Sequence, residues 1–143
     1  MPEEVLPMAT SSPVRTTPQE LDTPEAGRVA LKFFFNLMER WGCTAEEQRT
    51  LLGKVGNTTF YKYKHLPPNV RLPHDTLERI SYLMGIHKAL SIIFSNNRDR
   101  SYKWVSSPNT AAPFNGQSAL SYMLAGRVVD IADVRRYLDG VRG

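Results

Sequence analysis

Residues 44–64, TAEEQRTLLGKVGNTTFYKYK, decide the fold. Thr44 and Glu47 have the spacing of a capping box, in which each side chain accepts the other residue's backbone N–H, so a helix starts here. It reaches Leu51-Leu52 and stops at Gly53. The stretch Leu52-Gly53-Lys54-Val55-Gly56-Asn57 is then a tight connection to a second short helix, Thr58 to Lys64. A short capped helix, a glycine-containing turn and another short helix form a helix-turn-helix pattern, whose second helix enters the major groove of duplex DNA.

Within that second unit Val55 and Phe60 fit the core, which turns Asn57, Thr58, Tyr61 and Lys62 outward. Asn and Thr can read base edges, while Lys and Tyr mainly hold phosphates. Lys54, Thr59 and Lys64 complete the candidate DNA-contacting set. Charge supports the placement. No acidic residue lies between Glu47 and Asp75, whereas Arg49, Lys54, Lys62, Lys64 and Arg71 all do. A phosphate backbone repels acids on a docking face, and each cation that reaches a phosphate releases counterions. The bland alternative is a solvated basic face on a helical bundle, with Tyr61 and Tyr63 merely packing.

Upstream, Thr23-Pro24-Glu25 is a helix start: a hydroxyl for an orphan N–H, proline in the first turn and an acid at the positive end of the dipole. Ala30, Phe34, Leu37, Met38 and Trp41 follow as a helical stripe that ends at Gly42. Phe33 and Phe35 flank it, so the helix is either buried between neighbours or also part of a dimer contact. Residues 1–22 hold Pro2, Pro7, Pro13 and Pro18 among Ser and Thr, with Glu3, Glu4, Glu20 and Asp22 against Arg15. Such a segment buries too little apolar surface to offset its ordering entropy, and it is expected to be a disordered tail.

Downstream, His65 and His74 are expected to be loop histidines. Asp75-Thr76-Leu77-Glu78 is expected as an acid-capped helix start, with Leu77, Ile80, Leu83 and Met84 at helical spacing. Gly85 either breaks this helix or sits inside it. Ile86, Ala89, Leu90, Ile93 and Phe94 continue the apolar run, the expected hub for both halves of the chain. The polar run from 95 to 100 is expected as a loop or frayed end. After it come Trp104-Val105-Ser106-Ser107-Pro108-Asn109, then Phe114-Asn115-Gly116-Gln117-Ser118-Ala119-Leu120, then Leu124-Ala125-Gly126-Arg127. The last helix is expected over Ile131 to Leu138, followed by a short arginine-bearing end with Arg142.

The chain has 143 residues, room for one domain or two small coupled ones. Its 18 basic residues exceed its 14 acidic ones, which favours a polyanionic partner. The single Cys43 excludes an internal disulfide and a cysteine-built zinc site, fitting a reducing cytoplasm. No apolar run approaches the ~20 residues that a membrane span needs. No phosphate-binding loop, metalloprotease, nucleophile-elbow or dinucleotide motif occurs; the three histidines fall at 65, 74 and 87, and no spaced Asp, Glu or Cys partners accompany His65 and His74. No catalytic residue, metal or cofactor is expected.

The order of Trp104, Pro108-Asn109, Phe114-x-Gly116 and two short helices separated by Gly126 resembles the toxin-binding domain of antitoxins of the Xre/MbcA/ParS family. Many members carry a proline at the start of the penultimate helix, where this chain has Ala119. The resemblance implies an all-α fold, with an Xre-like helix-turn-helix bundle over 23–95 and a small helical toxin-binding domain over 96–143. It implies an antitoxin that occludes the active site of a cognate toxin, commonly a RES-domain enzyme that degrades NAD, and that binds its own promoter as an autoregulator. Because helix-turn-helix proteins usually read paired half-sites as dimers, a homodimer within a larger toxin-antitoxin complex is expected. The candidate toxin-binding residues are Trp104, Phe114, Arg127, Arg135, Arg136, Tyr137 and Arg142. The competing reading is a stand-alone helix-turn-helix regulator whose C-terminal domain only dimerises.

Overall fold

Helix α1, Pro24–Trp41, opens where Thr23 Oγ1 accepts the Ala26 N–H at 3.1 Å and closes on Gly42, whose φ of 72° is the left-handed conformation that suits glycine. A computed structural model describes residues 23–95 and 97–143, so the tail expected over 1–22 lies outside the described residues. The buried residues of α1 are Gly27, Ala30, Leu31, Phe34, Leu37, Met38 and Trp41, which turn one continuous stripe inward. Cys43 follows as a buried free thiol.

Helix α2, Ala45–Leu51, carries the expected capping box: Glu47 N–H donates to Thr44 Oγ1 at 3.1 Å and Thr44 N–H to Glu47 Oε1 at 2.9 Å. The turn passes through Lys54 at φ 60° and leads to α3, Asn57–Lys64. Phe60 and Tyr63 anchor α3 to the core. A β-carbon on Gly27 would meet the Val70 carbonyl oxygen at 2.5 Å, so α1 and the segment after α3 approach at backbone distance.

Helix α4, His74–Ile93, is one unbroken rod of 20 residues with Gly85 inside it. Its start differs from the acid-capped one expected. Pro73 is the N-cap, and Asp75 lies in the first turn, where its carboxylate accepts from Arg79 Nε at 2.8 Å. His74 is accordingly the first helical residue and not part of a loop. The helix is the hub: it packs on α1, on α5 and most extensively on α7.

The expected loop over 95–100 is corrected as well. Asn97 accepts the Arg100 N–H at 3.0 Å and caps α5, Arg98–Trp104, so polarity there reflects a helix start. Helix α6, Ala119–Met123, starts at Ala119 with Ser118 as its cap. Helix α7, Val128–Arg142, runs well past Leu138, so the arginine-bearing end is helical to Arg142 and not a free tail. The fold is all-α, with seven helices and no strand among the described residues, only an isolated bridge between Pro108 and Ser118. No helix of the described residues is long and apolar enough to cross a membrane.

Candidate functional site

Two surfaces emerge, one on each half of the chain. On α3, Asn57, Thr58, Tyr61 and Lys62 all face outward, as the burial of Phe60 and Tyr63 dictates. Tyr61 is 52 % exposed, a large value for an aromatic residue, with its ring edge against Phe60. Thr59 is half-buried at the flank. Lys64 is exposed, but its ammonium lies over the rings of Phe35 and Phe60, at 5.4 and 5.7 Å from their centroids. It therefore braces α3 against α1 rather than pointing off the outward face. The α3 N-terminus has no side-chain cap, which leaves its N–H groups open.

Lys54 occupies the turn, and its stem lies against the connection between α6 and α7. A β-carbon on Gly126 would sit 2.6 Å from Lys54 Cε and 3.6 Å from Thr50 Cγ2. Gly126, at φ 95°, thus meets both a conformational and a spatial demand for glycine. Beneath this contact lies Arg79, only 7 % exposed. It donates from Nη2 to the Gly126 carbonyl at 2.9 Å and from Nη1 to the Thr50 carbonyl at 3.5 Å. The sequence reading missed Arg79. Its signal was its phase, since it shares a face of α4 with Thr76 and Leu83, both buried.

The C-terminal half presents an aromatic shelf. Trp104 stacks on Tyr137 with centroids 6.2 Å apart, and both rest on Phe114, at 6.0 and 5.1 Å edge to face. Tyr122 meets Phe114 from another side at 5.7 Å. Phe114 is 1 % exposed and forms the floor of the shelf, so of the candidate toxin contacts it lies in the core and not at the surface. Trp104, Tyr122 and Tyr137 are half-buried. Asp133 accepts the Tyr122 hydroxyl at 2.7 Å and Arg136 Nη1 at 3.0 Å. That bond to a carboxylate raises the Tyr122 pKa. Arg136, with 74 % of its side chain exposed, is the cationic rim beside the shelf.

The other arginines are placed elsewhere. Arg135 crosses Gly85 of α4 and pairs with Asp139 at 3.0 Å, its side chain 24 % exposed. It is a clamp of the α4–α7 seam. Arg142 lies 4.0 Å from Asp139 at the end of α7. Arg127 caps α7 beside the Lys54 turn, and Asp130 binds it through Nη2 at 2.8 Å and Nε at 3.3 Å. Burial pushes the Asp130 carboxyl up, but the hydrogen bonds and charge of Arg127, aided by the charge of Arg79, outweigh it and hold the pKa below the ordinary range. Among the described residues no cluster of His, Cys, Asp and Glu could hold a metal ion.

Comparison with known proteins agrees with this division. The family described as the antitoxin Xre-like helix-turn-helix domain matches residues 20–85. The family described as the antitoxin Xre/MbcA/ParS C-terminal toxin-binding domain matches residues 89–143. An uncharacterized protein y4oB of Sinorhizobium fredii (strain NBRC 101917 / NGR234) is 42 % identical over 133 residues, covering 93 % of this chain and 98 % of that protein. The two matched stretches meet inside α4.

Proposed function

The chain belongs to the antitoxins of the Xre/MbcA/ParS type, and from that premise we propose that it holds a cognate RES-type, NAD-degrading toxin inactive by covering its active site, and binds its own promoter through α3. The observation that carries this reading is the presence of two chemically distinct surfaces on different helices. One is an outward α3 face without acids, and the other is the aromatic shelf with its arginine rim.

Inhibition of this kind is steric exclusion and needs no reactive group from the inhibitor. Half-buried Trp104 and Tyr137 supply rigid apolar area at low entropic cost, which is how aromatic anchors dominate protein interfaces. Arg136 adds a directed charge for an acidic or hydrogen-bonding rim. On the DNA side, Lys62 supplies a phosphate contact, while Asn57 and Thr58, at the open N-terminus of α3, meet base edges or phosphates. Paired half-sites imply a homodimer in the toxin complex, acting in the cytoplasm. The unit over 23–95 and the unit over 96–143 divide these tasks.

The test is co-expression with the product of the adjacent gene. The neighbour should deplete cellular NAD when expressed alone, spare it beside this chain, and co-purify with it. A neighbour that is harmless alone, or that fails to associate, overturns the inhibitor reading.

A further inference from the structure

We propose that the C-terminal half contributes directly to DNA binding, through Arg127 as a phosphate contact beside Lys54. This rests on the reading of α3 as the DNA-binding helix. Gly126 is pressed onto the helix-turn-helix turn, within 2.6 Å of Lys54 Cε for an added β-carbon, and Arg127 is the next residue. One peptide step of about 3.8 Å therefore separates the residue that touches the turn from the arginine. Lys54 precedes the α3 N-terminus by three residues, so both cations flank the end of the helix that enters the groove.

The joint is fixed, not incidental. Arg79, a buried residue of α4, binds the carbonyls of Gly126 and Thr50 together and is itself held by Asp75. Arg79 is thus a positioning residue for Arg127. The Arg127 guanidinium is also set in one orientation. Asp130, whose side chain is 2 % exposed, takes its Nε and Nη2 edge, while 71 % of the Arg127 side chain remains in solvent. The pairing offsets part of its charge but uses only Nε and Nη2, leaving the Nη1 donors without a hydrogen bond among the described residues, and a pre-oriented fork is what bidentate phosphate recognition requires. Lys54 makes no ion pair among the described residues. The two cations form a ledge contributed half by each domain. A toxin contact at the aromatic shelf would use the other arginine, Arg136. It lies nine residues farther along α7, which is about 13 Å and half a turn in phase from Arg127.

The experiment titrates the full-length chain onto a fluorescent 24-base-pair duplex of mixed sequence and follows anisotropy from 50 to 200 mM salt. Losing one phosphate contact makes the log–log slope shallower by about 0.9, so the ratio of wild-type to Arg127→Gln affinity should change about threefold across that range. Arg127→Lys should retain most of the wild-type slope. In wild-type protein, saturating duplex should protect Arg127 from phenylglyoxal, scored by mass spectrometry, while Arg136 stays reactive. An unchanged slope in a folded Arg127→Gln variant overturns the proposal. So does equal modification of Arg127 with and without duplex, and this measurement decides the matter if the variant fails to fold. No duplex binding by the wild-type chain, or a slope unmoved by Lys62→Gln, overturns the DNA-binding reading itself and this inference with it.

Discussion

Arg79→Met removes a buried polar bridge between the halves of the molecule while keeping most of the buried side-chain volume. The wild-type guanidinium, 7 % exposed, makes a 2.9 Å bond to the Gly126 carbonyl, a longer one to Thr50 and an ion pair with Asp75. A hydrogen bond from a charged donor to a buried carbonyl contributes about 1.5–3 kcal/mol. The Asp75 side chain is 56 % exposed, so its pairing adds less than about 1 kcal/mol and water can replace it. Removing the cation also recovers part of its desolvation cost, which trims the total. The expected loss is about 2–3 kcal/mol, or a midpoint lower by roughly 6–12 °C for a unit of this size. Thermal melts followed by circular dichroism at 222 nm measure it directly, and Arg79→Lys should fall between the two. A melting point within about 2 °C of wild type would show that the joint does not stabilise the fold, and Arg79 would lose its assignment as the bridge.

Lys62→Gln should weaken duplex binding and flatten its salt dependence by about one phosphate contact, whereas Lys64→Gln should chiefly lower stability, because its ammonium sits over Phe35 and Phe60; equal slopes for the two variants in a salt titration contradict the placement. Phe114→Ala should cost about 3–5 kcal/mol of stability, while Trp104→Ala, at a half-buried position, should reduce toxin co-purification with a smaller change in the urea midpoint. Stability should also fall in acid in two steps. His87 has its pKa lowered from 6.5 by burial and by the Arg40 charge, so it contributes stability that is full above about pH 6.5 and fades as pH falls through the depressed value. Asp130, held below its ordinary 3.8, gives a second loss beginning near pH 4; urea midpoints against pH, with Arg127→Gln abolishing the lower step, check both.

The local signals in the sequence were strong where chemistry acts over three or four residues. The Thr23 cap, the Thr44–Glu47 box, the Gly42 stop and the outward set on α3 all follow from spacing along one helix. Where spacing misled, a competing local role existed. Asp75 has the right residue type for a cap, but Arg79 one turn later is a stronger partner, and Pro73 already sets the helix start. Asn97 sits in a polar run that looks like loop, yet its side chain caps α5, and the apolar residues that would reveal that short helix are few. Gly85 shows a different limit. Glycine inside a helix normally costs stability, and only the crossing of Arg135 from α7, fifty residues away, explains it.

The arginines make the same point about function. Arg127, Arg135, Arg136 and Arg142 are alike in sequence, and a toxin-binding role suits each of them equally until the packing separates them. Arg135 is spent on the α4–α7 seam, Arg136 borders the aromatic shelf, and Arg127 is pinned beside the helix-turn-helix turn. That seam also changes how the domains should be dissected. Because α7 buries Ile131, Val134 and Leu138 and finds its main partner in α4, deleting residues 104–143 would uncover the hub as well as remove the shelf. A truncated chain that fails to neutralise a toxin therefore cannot distinguish a missing contact from an unfolded protein. Substitutions at half-buried Trp104 and exposed Arg136 leave the buried face of α7 on α4 and so separate the two, and they make the aromatic shelf testable on a molecule that still binds DNA.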